Sequence, residues 1–450
     1  MEKDVLLNGV RITTELPGPN AKKIMAEDEK YLTTSTKSLP VVAYRGQGCY
    51  IEDVDDNVFL DFSSGISTTN IGYGNEYVIS KVQEQLHKLW HFAGTDFYYE
   101  EQVEAAKALI GVSPGSHDKK VFYANSGAES NEASLKLARS YTKRPQFIGF
   151  IGGFHGRTMG ALSFTASQPV HHEGFFPEMG GVTHIPFPDP YRNPFNIDGY
   201  EEPEDLTNAA IDYLEDYVFG KFLPSNSVAA ILVEPIQGEG GYIVPPMDFH
   251  KKLMELAHEN EILYIMDEVQ TGFGRTGRFF ASEHFGVDPD IMSVAKSIAS
   301  GIPMGASVVK SKYDFEKSGL HSNTFGGNLL ASVSSRATIE EIKNKNMVEN
   351  ARKVGDYLNK RLHELQEKYD SIGDVRGLGL MQAIDFVKNR KTKAHFRGLR
   401  DKTIENAYKN GLILLGAGES AIRFIPPLIV NEKQIDEAID ILDNSIKKAL

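Results

Sequence analysis

Apolar and polar positions change their period along this chain, and the changes divide it. From about residue 65 to 330, short apolar runs at 121–124, 147–151, 229–233, 262–266, 291–294 and 306–309 alternate with turn residues and amphipathic stretches. Uninterrupted runs of this length suit strands buried on both faces. Their alternation with helical patterns predicts a mainly parallel sheet covered by helices. Before residue 65 the chain reads as an irregular start around Pro17-Gly18-Pro19, then strand-like alternation at 49–51 and 58–62. A turn at 53–57 separates those two pieces, as a hairpin requires. After residue 330, Lys- and Glu-rich helical patterns at 337–345, 354–368 and 433–449 flank strand-like 380–386 and 422–425. Pro, Asp, Asn and Tyr crowd residues 186–203 and predict a long surface loop. The expected organisation is α/β: an N-terminal segment, 1–64, joining a small α+β domain at 331–450, with a large domain over 65–330.

Composition narrows the class. At 450 residues the chain can hold roughly two or three domains and a large core. It is 41% hydrophobic and 24% charged, ordinary for a soluble globular protein. A net charge of −13 and no basic cluster argue against a nucleic-acid partner. The apolar runs fall far short of the roughly 20 residues that span a bilayer, so no membrane segment is expected. Met1-Glu2-Lys3-Asp4 has no basic stretch followed by an apolar one, so no signal peptide is expected either. The single cysteine, Cys49, excludes an intrachain disulfide and fits a reducing cytoplasm. Nothing near it in sequence would activate it, so it reads as a small buried side chain.

Ligands of such sheets gather beyond the carboxyl ends of the strands, and chemistry-bearing residues fall there repeatedly. Asn125-Ser126-Gly127-Ala128-Glu129-Ser130 follows the 121–124 run and opens a helical pattern. Small residues at a helix start let backbone N–H groups reach a phosphate, although Ser and Asn are also ordinary N-caps. Gly152-Gly153-Phe154-His155-Gly156-Arg157-Thr158 offers an aromatic for a flat ring and an arginine for a carboxylate. Glu234-Pro235-Ile236-Gln237-Gly238-Glu239-Gly240-Gly241 places two carboxylates beside flexible glycines. Finally, Asp267 follows 262–266 and Lys296 follows 291–294. A lysine and a carboxylate at neighbouring strand ends are what pyridoxal phosphate asks of a protein. The amine meets the cofactor's aldehyde, and the carboxylate keeps its pyridine nitrogen protonated. Taken singly each has a plain alternative, because most lysines are solvated and a buried carboxylate accepts any cationic partner.

Together and in order, the motifs at 125–129, 154–158, 234–241, 267–270, Lys296, 323–328 and 423–427 resemble the class III pyridoxal-phosphate aminotransferases. These are fold type I enzymes, and the likeness runs from about residue 48 to 427. Thr95-Asp96-Phe97-Tyr98-Tyr99-Glu100 looks most like archaeal members, which are variously ω-amino-acid aminotransferases, ornithine aminotransferases and amino-acid racemases. The resemblance implies that Lys296 bonds the cofactor and later moves the substrate proton, while Asp267 pairs with the pyridinium. Gln270 would approach the ring hydroxyl, and Val269 and Phe154 would cover opposite ring faces. Ser126, Gly127 and Ala128 would cradle the phosphate. Thr324 would bind that phosphate from a neighbouring subunit, making the active site complete only in a homodimer, with pairing into a tetramer left open.

The same resemblance bears on substrate. Arg423 would bind the α-carboxylate of a keto acid such as 2-oxoglutarate, and Glu239 would neutralise Arg423 while an ω-amine is bound. Arg157 would hold the distal carboxylate. Racemase-like relatives can carry an uncharged residue at position 157 and Asp at 239, so Arg157 and Glu239 favour transamination. The expected reaction is ping-pong, from a terminal amine to 2-oxoglutarate, with 4-aminobutyrate the first donor and ornithine or acetylornithine close behind. A racemase or aminomutase on the same scaffold is the rival. A non-catalytic binder would not need Lys296, and no G-x-x-x-x-G-K-[ST] run marks a nucleotidase. Gly377-Leu378-Gly379 reads as a turn before a strand. Gly72-Tyr73-Gly74-Asn75-Glu76 departs from the family's Gly-His-x-His-Pro pattern near the entrance, and Ile66 and Thr95 are expected pocket walls.

Overall fold

Seven strands form the central layer of the computed structural model, which describes residues 7–116 and 118–450. The start at residues 1–4 lies outside the described residues. Ahead of that layer, β1 (Ala43–Gln47), β2 (Tyr50–Asp53) and β3 (Val58–Asp61) make an antiparallel meander. The hairpin between β2 and β3 forms where the alternation placed it. The Asp53 carboxylate accepts the N–H groups of Asp55 and Asn57 at 2.9 Å and closes the turn.

The central sheet contains β4 (Lys119–Ala124), β5 (Gln146–Phe150), β6 (Val182–Ile185), β7 (Val228–Val233), β8 (Leu263–Asp267), β9 (Ile291–Val294) and β10 (Gly305–Lys310). Their order is β4-β10-β9-β8-β7-β5-β6. Neighbours from β6 through β9 are parallel, and β10 runs antiparallel to both β4 and β9. Every residue of β7 and β8 is buried, the reason both read as unbroken apolar runs. The edge strand β6 escaped that reading, since Thr183 and His184 interrupt its apolar pattern and only Ile185 is buried.

The chain continues with β11 (Ile372–Leu378), β12 (Met381–Asn389), β13 (Ala394–His395), β14 (Leu412–Ile413), β15 (Leu415–Ala417) and β16 (Ala421–Phe424), all but β14 forming a second antiparallel sheet. Its order is β11-β12-β16-β15, with β13 on β12. Strand β14 instead pairs in parallel with β3, so the N-terminal meander and the C-terminal part share hydrogen bonds. Gly379 makes the turn between β11 and β12 in the left-handed region, where a Cβ would meet the Thr276 carbonyl carbon at 2.3 Å. Helix Met347–Lys368 buries Val354, Leu358, Leu362 and Leu365, one stripe at helical spacing. Cys49 is buried.

Two expectations need correction. The irregular start is in fact a helix, Pro19–Tyr31. The Asp55 carboxylate accepts the N–H groups of Asn20 and Ala21 at 2.8 Å, so its N-terminal cap comes from a residue 35 positions away. Residues 186–203 do lack strands, but they are not all surface. Phe187 and Tyr191 are buried, and Arg192 bonds Asp385 at 2.7 Å. Among the described residues no helix is long and apolar enough to cross a membrane.

Candidate active site

The carboxyl ends of β4, β5, β7, β8 and β9 converge on a cavity of about 610 Å3. Ser126, Gly127, Ala128, Phe154, Arg157, Glu239, Asp267, Val269, Gln270, Lys296, Arg423 and Ile66 all line it. Thr324 does not. It is exposed, in a loop that Asn323 ties to the Tyr123 carbonyl at 2.7 Å. Thr95 lines a separate cavity beside Gln102 and Gly326 rather than this one, a correction to its placement as a wall. The stretch 72–76 is absent from the lining as well. Its Tyr73 hydroxyl donates to Asp61 at 2.6 Å, packed beside Gly65 behind the cavity wall.

One end of the cavity is an anion cradle. Ser126 caps helix Gly127–Thr142 through its hydroxyl, which accepts from the Glu129 N–H at 3.2 Å. The Glu129 carboxylate reaches back to the Asn125 N–H at 2.6 Å, so the first helical amides face the cavity without an intrahelical acceptor. Close packing fixes this turn. A Cβ on Gly127 would stand 2.8 Å from Val269, and one on Gly305 only 2.2 Å from the Ser126 carbonyl.

The floor is Asp267, the last residue of β8, buried and triply hydrogen-bonded. Its Oδ2 accepts from Asn131 Nδ2 at 2.7 Å and lies 2.8 Å from His155 Nδ1; its Oδ1 accepts from the Val269 N–H at 3.0 Å. No lysine or arginine among the described residues pairs with it, which leaves capacity for a cationic N–H supplied from the cavity. Asn131 and His155 were missed in sequence, although His155 sits inside the 154–158 motif and Asn131 one helical turn beyond Gly127.

Lys296 enters from the end of β9 with φ of 46°, a strained setting for a residue with a side chain. Burial pulls its amine down to about 8, the Arg423 guanidinium acts in the same direction, and Asp267, Glu234 and Glu239 oppose it. A lysine so tuned is a nucleophile and proton carrier near neutral pH. Glu234 stands under the aromatic wall. Its carboxylate accepts the N–H groups of Phe154 at 2.9 Å and Gly238 at 2.8 Å, and burial raises its pKa to about 7.

The outer half of the cavity holds two guanidinium groups in different states. Arg423 Nη1 donates to Glu239 Oε2 at 3.1 Å. Arg157 is exposed to the cavity, lies 5.7 Å from the Phe154 ring centroid, and has no carboxylate partner among the described residues. The cavity wall at Ile66 is strained. Ser64, Gly65, Ile66 and Ser67 all have φ between 46° and 63°, a left-handed turn that costs free energy at each non-glycine residue. Ser64 Oγ bonds the Ile425 carbonyl and Ser297 Oγ bonds the Ser67 carbonyl, so the turn is pinned by neighbours of Arg423 and Lys296.

Comparison with known proteins agrees with this geometry. The family model for class III aminotransferases matches residues 31–446. The chain belongs to the class III aminotransferases. It is 38% identical to an alanine/serine racemase of Pyrococcus horikoshii, over 99% of this chain and 94% of that one. It is 37% identical to an acetylornithine aminotransferase of Archaeoglobus fulgidus (94% and 99%) and 36% identical to a 4-aminobutyrate aminotransferase of Mycobacterium leprae (96% and 97%). Among solved structures, an amine transaminase from an uncultivated Pseudomonas species in its PLP-bound form superposes with a TM-score of 0.86. The two are 29% identical over 93% of this chain and 98% of the other. The cofactor is pyridoxal phosphate, and the residues present fit it: an anion cradle, a buried carboxylate short of a cation, and a desolvated lysine in one cavity.

Proposed function

We propose that this aminotransferase moves the terminal amino group of an ω-amino acid, 4-aminobutyrate first, to 2-oxoglutarate in a ping-pong cycle, giving an aldehyde and glutamate. The observation that carries the reading is the contrast between a covered Arg423 and a free Arg157 in one cavity. A donor with a single, distal carboxylate needs one free arginine. The keto acid, with two carboxylates, needs both. Glu239 reconciles them, since an uncovered buried guanidinium is costly when the substrate brings no carboxylate to it.

Bound pyridoxal phosphate supplies the aldehyde carbon and an electron-withdrawing ring. The chain's residues do the rest. Asp267, held in place by Asn131 and His155, would keep a proton on the ring nitrogen. Phe154 and Val269 would line the two faces of the ring's slot, Gln270 would meet the ring hydroxyl, and the amides of 126–128 would hold the phosphate. Lys296 would hold the cofactor through its amine and, with that amine tuned near neutrality, would carry the proton taken from the substrate carbon. Thr324, exposed and outside this chain's cavity, suits a phosphate contact to a second copy in a homodimer. The substrates are small amines and keto acids, and the cytoplasm is the proposed compartment.

Glutamate production from 2-oxoglutarate tests the donor. 4-Aminobutyrate should give the highest kcat/KM, ahead of ornithine and acetylornithine. A higher value for either of those moves the assignment to it, and no glutamate with any ω-amine overturns it. The similarity to the alanine/serine racemase supports a second reading, racemisation of a neutral amino acid. Arg157 and Glu239 stand against it, since such a substrate has no distal carboxylate.

A further inference from the structure

Glu239 lies on the boundary between two cavities. Beyond the one described, a second of about 760 Å3 shares Arg157 and Glu239 with it and is walled by Gln168 and His171. The Glu239 carboxylate spends one oxygen on each side: Oε2 takes the Arg423 guanidinium at 3.1 Å, and Oε1 takes the Gln168 amide at 3.4 Å. Gln168 is well anchored for this. Two residues earlier, Ala166 exchanges backbone hydrogen bonds with Gly152 and Gly153 at 2.9 and 2.7 Å, and the Gln168 carbonyl accepts the His171 N–H at 3.1 Å.

We propose that Gln168 is the positioning residue that receives Glu239 when a substrate α-carboxylate displaces it from Arg423. This rests on the reading of Glu239 and Arg423 given above. Displacement leaves a partly buried carboxylate that must find another donor or carry the cost of desolvation. Arg157 is then engaged by the distal carboxylate of the same substrate. Among the described residues, Gln168 is the only other side chain that hydrogen-bonds Glu239, and it lines the second cavity, whose walls include Glu239 but not Arg423. In the resting state the arginine dominates and Gln168 contributes little at 3.4 Å. In the displaced state its amide is the principal donor, so it favours substrates with an α-carboxylate over those without one.

The test is a charge series at one position in the cofactor-loaded enzyme. Single-turnover conversion is followed with glutamate and with 4-aminobutyrate, and the quantity read is the ratio of their kcat/KM values. Gln168→Met should lower the glutamate to 4-aminobutyrate ratio about tenfold, the worth of a hydrogen bond to a charged group. Gln168→Glu, which repels the displaced carboxylate, should lower it further. Gln168→Lys should raise it, because an ammonium draws Glu239 away from Arg423. A structural role would not reverse sign with charge. Ratios that stay within about twofold of wild type in all three variants, or a Gln168→Lys shift in the same direction as Gln168→Glu, overturn the assignment of Gln168. A wild-type enzyme that reacts with only one of the two amines removes the gate itself, and this proposal with it.

Discussion

Arg376 and Arg423 stand opposite the same residue, Ala383, from the two sides of β12. Directly paired residues of an antiparallel sheet share a face, so both guanidinium groups meet the loop that carries Glu239. Arg423 holds its carboxylate at 3.1 Å, and Arg376 Nε donates to the Gly241 carbonyl at 2.9 Å. The sheet that supplies Arg423 thus also fixes the loop that supplies its counter-ion.

Arg376 is itself held by Asp374 at 2.7 Å and Asp385 at 3.1 Å, all three buried. Arg376→Met should therefore cost about 3–5 kcal/mol, because it strands the buried Asp374 without a cation while Asp385 keeps Arg192. Arg376→Lys, which keeps the charge, should cost less. Thermal unfolding of the two variants checks this, and equal melting temperatures for Met and wild type would refute it.

Glu239→Gln leaves Arg423 uncovered whenever the bound amine lacks an α-carboxylate. The kcat/KM for 4-aminobutyrate should fall by about ten- to a hundredfold, and that for glutamate by much less. Parallel losses for the two donors would count against the gate.

Lys296 gives a pH signature in the cofactor-free protein. Its folded pKa of about 8 lies below the ordinary 10.5. Between those values the unfolded chain binds a proton that the folded one has released, so stability rises with pH across that window. Below pH 8 the amine is charged in both states, and the penalty for burying it is fully present. Lys296→Met apoprotein should accordingly melt higher than wild-type apoprotein at pH 7, with the difference shrinking toward pH 10. A difference independent of pH would mean that the amine is not desolvated. Turnover of this variant should fall by at least about a thousandfold.

Ile66 carries φ of 63° while remaining nearly half exposed at 46%. Ile66→Gly relieves that strain at little cost in buried surface and should stabilise the protein by up to about 1 kcal/mol. Because Ile66 also walls the cavity, kcat/KM should drop as stability rises. A loss of stability would show that the left-handed turn is less strained than its backbone angles imply.

Much of this site was legible in the sequence for a simple reason. Parallel strands deliver their next residues to one edge, so Ser126, Phe154, Glu234, Asp267 and Lys296 each follow an apolar run on the chain and meet in space. What stayed hidden depends on distant partners. The Pro19–Tyr31 helix needs Asp55 as its cap, and β6 is a half-polar edge. The left-handed turn at Ser64–Ser67 contradicts local preference and exists because Ser297 and Ile425 hold it. Thr95 looked like a wall because of its neighbours in sequence, but the fold sends it to another cavity.

The most direct test mixes the cofactor-loaded enzyme with one amine at a time, without keto acid, and follows the absorbance of the bound cofactor. Conversion to pyridoxamine phosphate by 4-aminobutyrate and by glutamate is the predicted result. No net conversion by either, with leucine or alanine losing optical rotation instead, would contradict the account and make the protein a racemase on this scaffold.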